Sequence, residues 1–143
     1  LHAAIVALRE HAGPADDGSK LAEKALCEGY DEGRSRLGLM ARLIMGMGGS
    51  AQSALSIEHA GVGLFLTALS IATGQDRTLA TLTTNEGQVA RLALALSSSG
   101  LKPAGVEQQF VALHPEISLP EGFDELGADR AAAILANAAG YPR

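Results

Sequence analysis

Apolar residues recur every three or four positions along most of the chain, and glycine, proline or a short polar cluster breaks the pattern at close intervals. Ile5, Leu8 and Ala12 share one helical face, which Gly13-Pro14 ends: glycine takes the left-handed cap and proline cannot continue the ladder. Asp16-Asp17-Gly18-Ser19 supplies an N-cap for a second helix, marked by Leu21, Ala22, Ala25 and Leu26 and ending near Gly29. A third starts near Ser35, carries Leu39, Met40, Leu43 and Ile44, and breaks at Gly46-Met47-Gly48-Gly49. Ser50 or Ser53 caps a fourth, with Ala54, Leu55, Ile57 and Ala60. The Gly61-Val62-Gly63 step then leads into a fifth, with Leu64, Phe65, Ala68, Leu69 and Ala72, stopped by Gly74.

Asp76 is a natural N-cap for a short helix through Leu79 and Leu82. Thr83-Thr84-Asn85-Glu86 punctuates, and Val89, Leu92, Ala93 and Leu96 mark the next helix, ended by Ser97 to Gly100. Pro103 suits the first turn of a helix with Val106, Phe110 and Leu113. His114 to Gly122 holds two prolines and reads as an extended connection before a last helix over Phe123 to Ala139, with Leu126, Ala131, Ile134 and Leu135 apolar. The expectation is an all-α fold: an irregular array of about nine short helices forming a single helical domain over 1–143. Leu66, Leu69, Leu92 and Leu96 are expected in its core.

Composition agrees. The chain holds 26 Ala and 21 Leu against 6 Ile and 5 Val, a balance that favours helices over strands. An apolar pair stands six and five residues before Gly13, Gly74, Gly100 and Gly140, but these glycines follow no fixed spacing, so a regular solenoid is not expected. Charge is uneven: residues 43–115 carry only Arg77, Arg91, Lys102, Glu58, Asp76, Glu86 and Glu107. That stretch is either the core or a face that meets a partner.

The net charge of −5 disfavours nucleic acid as the main partner. No apolar run approaches the roughly 20 residues of a membrane span, so no membrane partner is expected. The single Cys27 cannot form an internal disulfide and, with no signal-like start, points to the cytoplasm. A chain beginning at Leu1 is expected to be a fragment of a longer protein.

Candidate chemistry is sparse. Gly46 to Ser50 precedes a helix but lacks the lysine and the preceding strand of a phosphate loop. His2, His11, His59 and His114 form no ligand pair at helical spacing, and Asp16-Asp17 with Asp31-Glu32 shows no calcium-loop pattern. The expectation is no catalytic residue, no metal and no cofactor.

From Leu64 to Gly74 (LFLTALSIATG), through Leu79-Ala80-Thr81-Leu82 and Val89 to Leu96, to Ser99-Gly100-Leu101, the succession is similar to a bacterial family catalogued as domain of unknown function 2336. Phe65, Gly74, Leu82, Gly100 and Leu101 fall at that family's helix and stop positions, over roughly residues 50–115. Thr83-Thr84-Asn85-Glu86-Gly87 stands where the family commonly has an Asp-Pro or Asp-Gly loop. The resemblance implies a HEAT-like array of helical hairpins and carries no catalytic residue.

Three functions are open to such a chain. The first is a non-enzymatic scaffold that binds protein or itself; its expected surface is Leu37 to Met47, with Met40, Leu43, Met45 and Met47 as interface residues, because methionine adapts to partner shapes. A helix buried on every side within one subunit would explain the same run. The second is a histidine-phosphotransfer-like module using His59. The third is a small-molecule-binding domain with a pocket near Phe65 and Phe110.

Overall fold

The computed structural model describes residues 2–12 and 17–139. All regular structure among them is helical. Eight α-helices follow one another: α1 (His2–Ala12), α2 (Asp17–Gly29), α3 (Arg36–Gly46), α4 (Ile57–Thr73), α5 (Arg77–Leu82), α6 (Val89–Ser98), α7 (Pro103–Leu113) and α8 (Ala128–Ala139). A longer 3-10 stretch, Gly48–Leu55, stands as a ninth helical element, and Glu32–Arg34, Glu86–Gln88 and Phe123–Glu125 are single 3-10 turns. The expected stops at Gly13-Pro14 and Gly140, and the Asp16 cap, lie outside the described residues. By its packing the chain divides into two compact units, 1–38 and 39–143.

Within the first unit, α1 and α2 lie against each other. Arg9 grips the Glu23 carboxylate with two hydrogen bonds, Nη2 to Oε1 at 2.6 Å and Nε to Oε2 at 3.0 Å. Ser35 Oγ accepts the Gly38 N–H at 2.9 Å and so caps the start of α3. Among its described side chains only Ser19 is buried, while Val6, Leu21, Leu26 and Tyr30 are exposed.

The second unit holds the core. Phe65, Leu66, Ala68 and Leu69 of α4, Leu92, Ala93, Ala95 and Leu96 of α6, and Val106 and Phe110 of α7 are buried together with Leu55 and Leu135. Among the described residues, every buried apolar side chain except Ala131 and Leu135 falls in the charge-poor stretch 43–115, which is therefore core-forming. Alanines on α4 and α6 let helices come close without a large side chain between them. α6 is the hub, touching α4, α7 and α8. All four leucines expected in the core are there.

Local punctuation behaves as its chemistry requires. Asp76 accepts the Thr78 N–H at 2.7 Å and starts α5. Gly74 ends α4 in the left-handed conformation, with φ 64° and ψ 17°. Pro103 occupies the first turn of α7.

Two boundaries differ from expectation. The helix expected from Ser50 or Ser53 through Ala60 is broken at Ser56, which is extended (φ −99°, ψ 107°), and its two parts meet at a bend of 109°. The break expected at Gly61 to Gly63 is present: Gly61 is non-helical, with φ 75° and ψ 162°, and kinks α4 there. That region is open essentially to glycine alone, so Gly61 separates two helical stretches within the element. The last helix is also shorter than expected, because Leu126-Gly127 separates the Phe123–Glu125 turn from α8.

Candidate functional site

The α3 helix carries Met40, Leu43 and Met45, Met47 follows its end, and the structure sorts these expected interface residues into inward and exposed positions. Ile44 is 2% exposed and belongs to the core, and Met47 packs against that core. Met40 turns toward α4: Thr67 Oγ1 lies 3.9 Å from its Sδ. A β-carbon built on Gly63 would come within 3.2 Å of its Cε, so the missing side chain at Gly63 makes room for the methionine.

On the rest of the helix surface Leu39 (48% exposed), Leu43 (55%) and Met45 (64%) meet solvent. A helix buried on every side is therefore not what α3 is. Of the four expected interface residues, Leu43 and Met45 are presented to solvent, and Met40 and Met47 are partly buried. Leu39, which the interface expectation omitted, joins the exposed set. Its helical stripe with Leu43, at i and i+4, is the signal that could have found it.

The other candidates separate in space. His59 is exposed in the first turn of α4, and its Nδ1 lies 2.7 Å from Ser56 Oγ. Ser56 thus spends its hydroxyl on the imidazole and not on capping α4. The α4 N-terminus is satisfied from elsewhere: the Ile57 N–H donates to Gln109 Oε1 of α7 at 2.8 Å. Cys27 is exposed.

Phe65 and Phe110 do not share a pocket. Phe65 is fully buried, whereas Phe110 helps to line an apolar recess of about 370 Å³ between α6, the 117–126 connection and α8, with Val89, Leu94, Leu119, Phe123 and Ile134. Ser118 is the only polar side chain in its walls, so no set of polar groups converges there to orient a ligand.

Among the described residues, three surface groups have a perturbed ionisation. The hydrogen bonds from Arg9 hold the Glu23 carboxyl below the usual glutamate range, and Glu23 raises the Arg9 guanidinium in return. The Thr78 N–H holds the Asp76 carboxyl below the usual aspartate range. Both carboxylates have structural partners, so neither shift signals catalysis. No single helix among the described residues is long and apolar enough to cross a membrane. No family model matches the chain, and neither does any curated protein or solved structure.

Proposed function

We propose that the chain is a non-enzymatic helical scaffold that docks against protein through α3, with a second copy of itself as the first partner to test. The observation that carries this reading is the exposed apolar pair Leu39 and Leu43, at i and i+4, with Met45 exposed on another side of a helix that Ile44 seats in the core. A helix already anchored by Ile44 has no structural need for large apolar groups in solvent, and exposed apolar surface marks interaction sites. Arg42 is the only charge between Leu37 and Met47, so little opposes burial of that face.

The resemblance over residues 50–115 supports the same reading, because a HEAT-like array is a scaffold for surfaces. Consecutive helices touch in chain order, α4 with α5 and α6 with α7, as stacked hairpins would. Sedimentation tests the proposal directly. A wild type that dimerises with concentration, beside folded monomers for Leu43→Lys and Met45→Lys, supports it. A wild type that is monomeric at every concentration removes self-association.

A further inference from the structure

The end of α7 and the connection from α5 to α6 enclose a cleft of about 490 Å³, whose walls include Thr81, Leu82, Thr84, Glu86 and His114. A second recess of about 220 Å³ shares Glu86, Leu113 and His114 with it and adds Glu116 and Ile117. His114 is 6% exposed. Its backbone N–H donates to the Phe110 carbonyl at 2.8 Å, and its ring is tilted against that of Phe110 with centroids 5.8 Å apart. Its Nε2 is buried and has no hydrogen-bond partner among the described residues. Buried polar atoms seldom stay unpaired unless a ligand or solvent completes them.

Most of the remaining polar side chains of these walls are acceptors, with the Asn85 amide able to donate as well as accept. Thr81 Oγ1 donates its proton to the Arg77 carbonyl at 2.9 Å, and Thr84 Oγ1 donates to the Thr81 carbonyl at 2.8 Å. A hydroxyl that has given its proton to the backbone offers only lone pairs to a ligand. Among the described residues, neither Glu86 nor Glu116 takes part in an ion pair, and no lysine or arginine lines either recess. Acceptors and negative charge along these two adjoining recesses match a donor-rich cation.

An inorganic ion is the poorer match, because no three His, Cys, Asp or Glu side chains among the described residues come together to hold one. Leu82, Leu113 and Ile117 add apolar wall against which an alkyl stem can lie.

We propose that this cleft binds a small organic cation, an alkylammonium or alkylguanidinium. Glu86, on the wall of both recesses, balances its charge, the threonine oxygens and His114 accept its N–H groups, and the leucines cover its stem. The site lies apart from the α3 surface and does not depend on the scaffold reading.

Titration of the full chain with butylammonium and butylguanidinium, followed by the His114 side-chain resonances, tests it. The expected result is a saturable shift at His114 that weakens at least tenfold in Glu86→Gln. Glu86 is exposed, so that variant keeps its core, and unchanged amide resonances away from the cleft confirm its fold. Butanol, which has the same stem without the charge, is expected to leave His114 unmoved. An equal response to butanol would overturn the proposal. So would a Glu86→Gln variant that binds as well as wild type, or no shift with the cation at about 10 mM, ten times a Kd of about 1 mM. A capped lysine tripeptide identifies the source of the cation: tighter binding than butylammonium assigns it to a partner's side chain, and weaker binding to a free amine.

Discussion

Gln109 Oε1 accepts the backbone N–H of Ile57 at 2.8 Å, so a side chain of α7 caps α4 across 52 residues of chain. Gln109 is only 3% exposed, and its loss leaves an amide donor without a partner inside the protein. Gln109→Leu is expected to cost about 1–3 kcal/mol. Ser56→Ala, at the position where a cap is usually found, is expected to stay within about 0.5 kcal/mol, because its hydroxyl bonds His59 and not the helix. Urea midpoints at constant slope check both values. Equal losses for the two variants would show that Gln109 is not the cap.

Leu69, Leu92 and Leu96 are fully buried, and Leu66 almost so. Each Leu→Ala change is expected to cost about 2–5 kcal/mol, the range for deleting buried methyl groups and leaving a cavity. Thermal or chemical unfolding measures this. Costs below about 0.5 kcal/mol at all four positions would mean that the helix faces are assigned wrongly.

Two glycine-to-alanine changes are expected to have opposite signs. At Gly61 there is open space for a β-carbon, but φ is +75°, so Gly61→Ala strains the backbone and is expected to destabilise by about 1–3 kcal/mol. Gly105 sits in the first turns of α7, where an added β-carbon would make ordinary contact with Leu101 at 3.6 Å. Gly105→Ala is expected to stabilise by about 0.5–1 kcal/mol. Paired denaturation curves decide, and the same sign for both would refute the assignment of the kink.

The Arg9–Glu23 pair gives the first unit a defined acid response. Glu23 is held below its unfolded value by the hydrogen bonds from Arg9. A depressed carboxyl stabilises the fold above the unfolded value, and that contribution disappears as pH falls through the folded one. NMR titration of the Glu23 carboxyl is expected to show a midpoint below the normal glutamate range, returning toward it in Arg9→Gln. Identical midpoints in the two proteins would mean that the contact does not persist in water.

Much of this architecture is readable from local chemistry, and the exceptions share a cause. Asp76, Gly74, Gly100 and Pro103 act on their own neighbours within a turn or two, so their roles follow from residue type and position. The break at Ser56 does not, because what satisfies the next helix start is Gln109, far along the chain. The α3 surface was half readable. Its apolar character is plain in Leu37 to Met47, but which of those residues face inward depends on Gly63 leaving room for Met40. His114 offers no local signal at all, since its meaning comes from Glu86 and two threonines on another part of the chain.

The corner between α4 and α5 is closed by a cation that has no counter-ion among the described residues. Arg77 Nη2 donates to the Gly63 carbonyl at 3.1 Å, and its Nε to Thr67 Oγ1 at 3.3 Å. The acceptors are a backbone carbonyl and a hydroxyl, neither of them a carboxylate that acid could protonate. Acid that loosens the Arg9–Glu23 clasp therefore has no proton to put on this joint. The core helices hold a fastening indifferent to acidity, while the hairpin of α1 and α2 is tied by one that acid can undo.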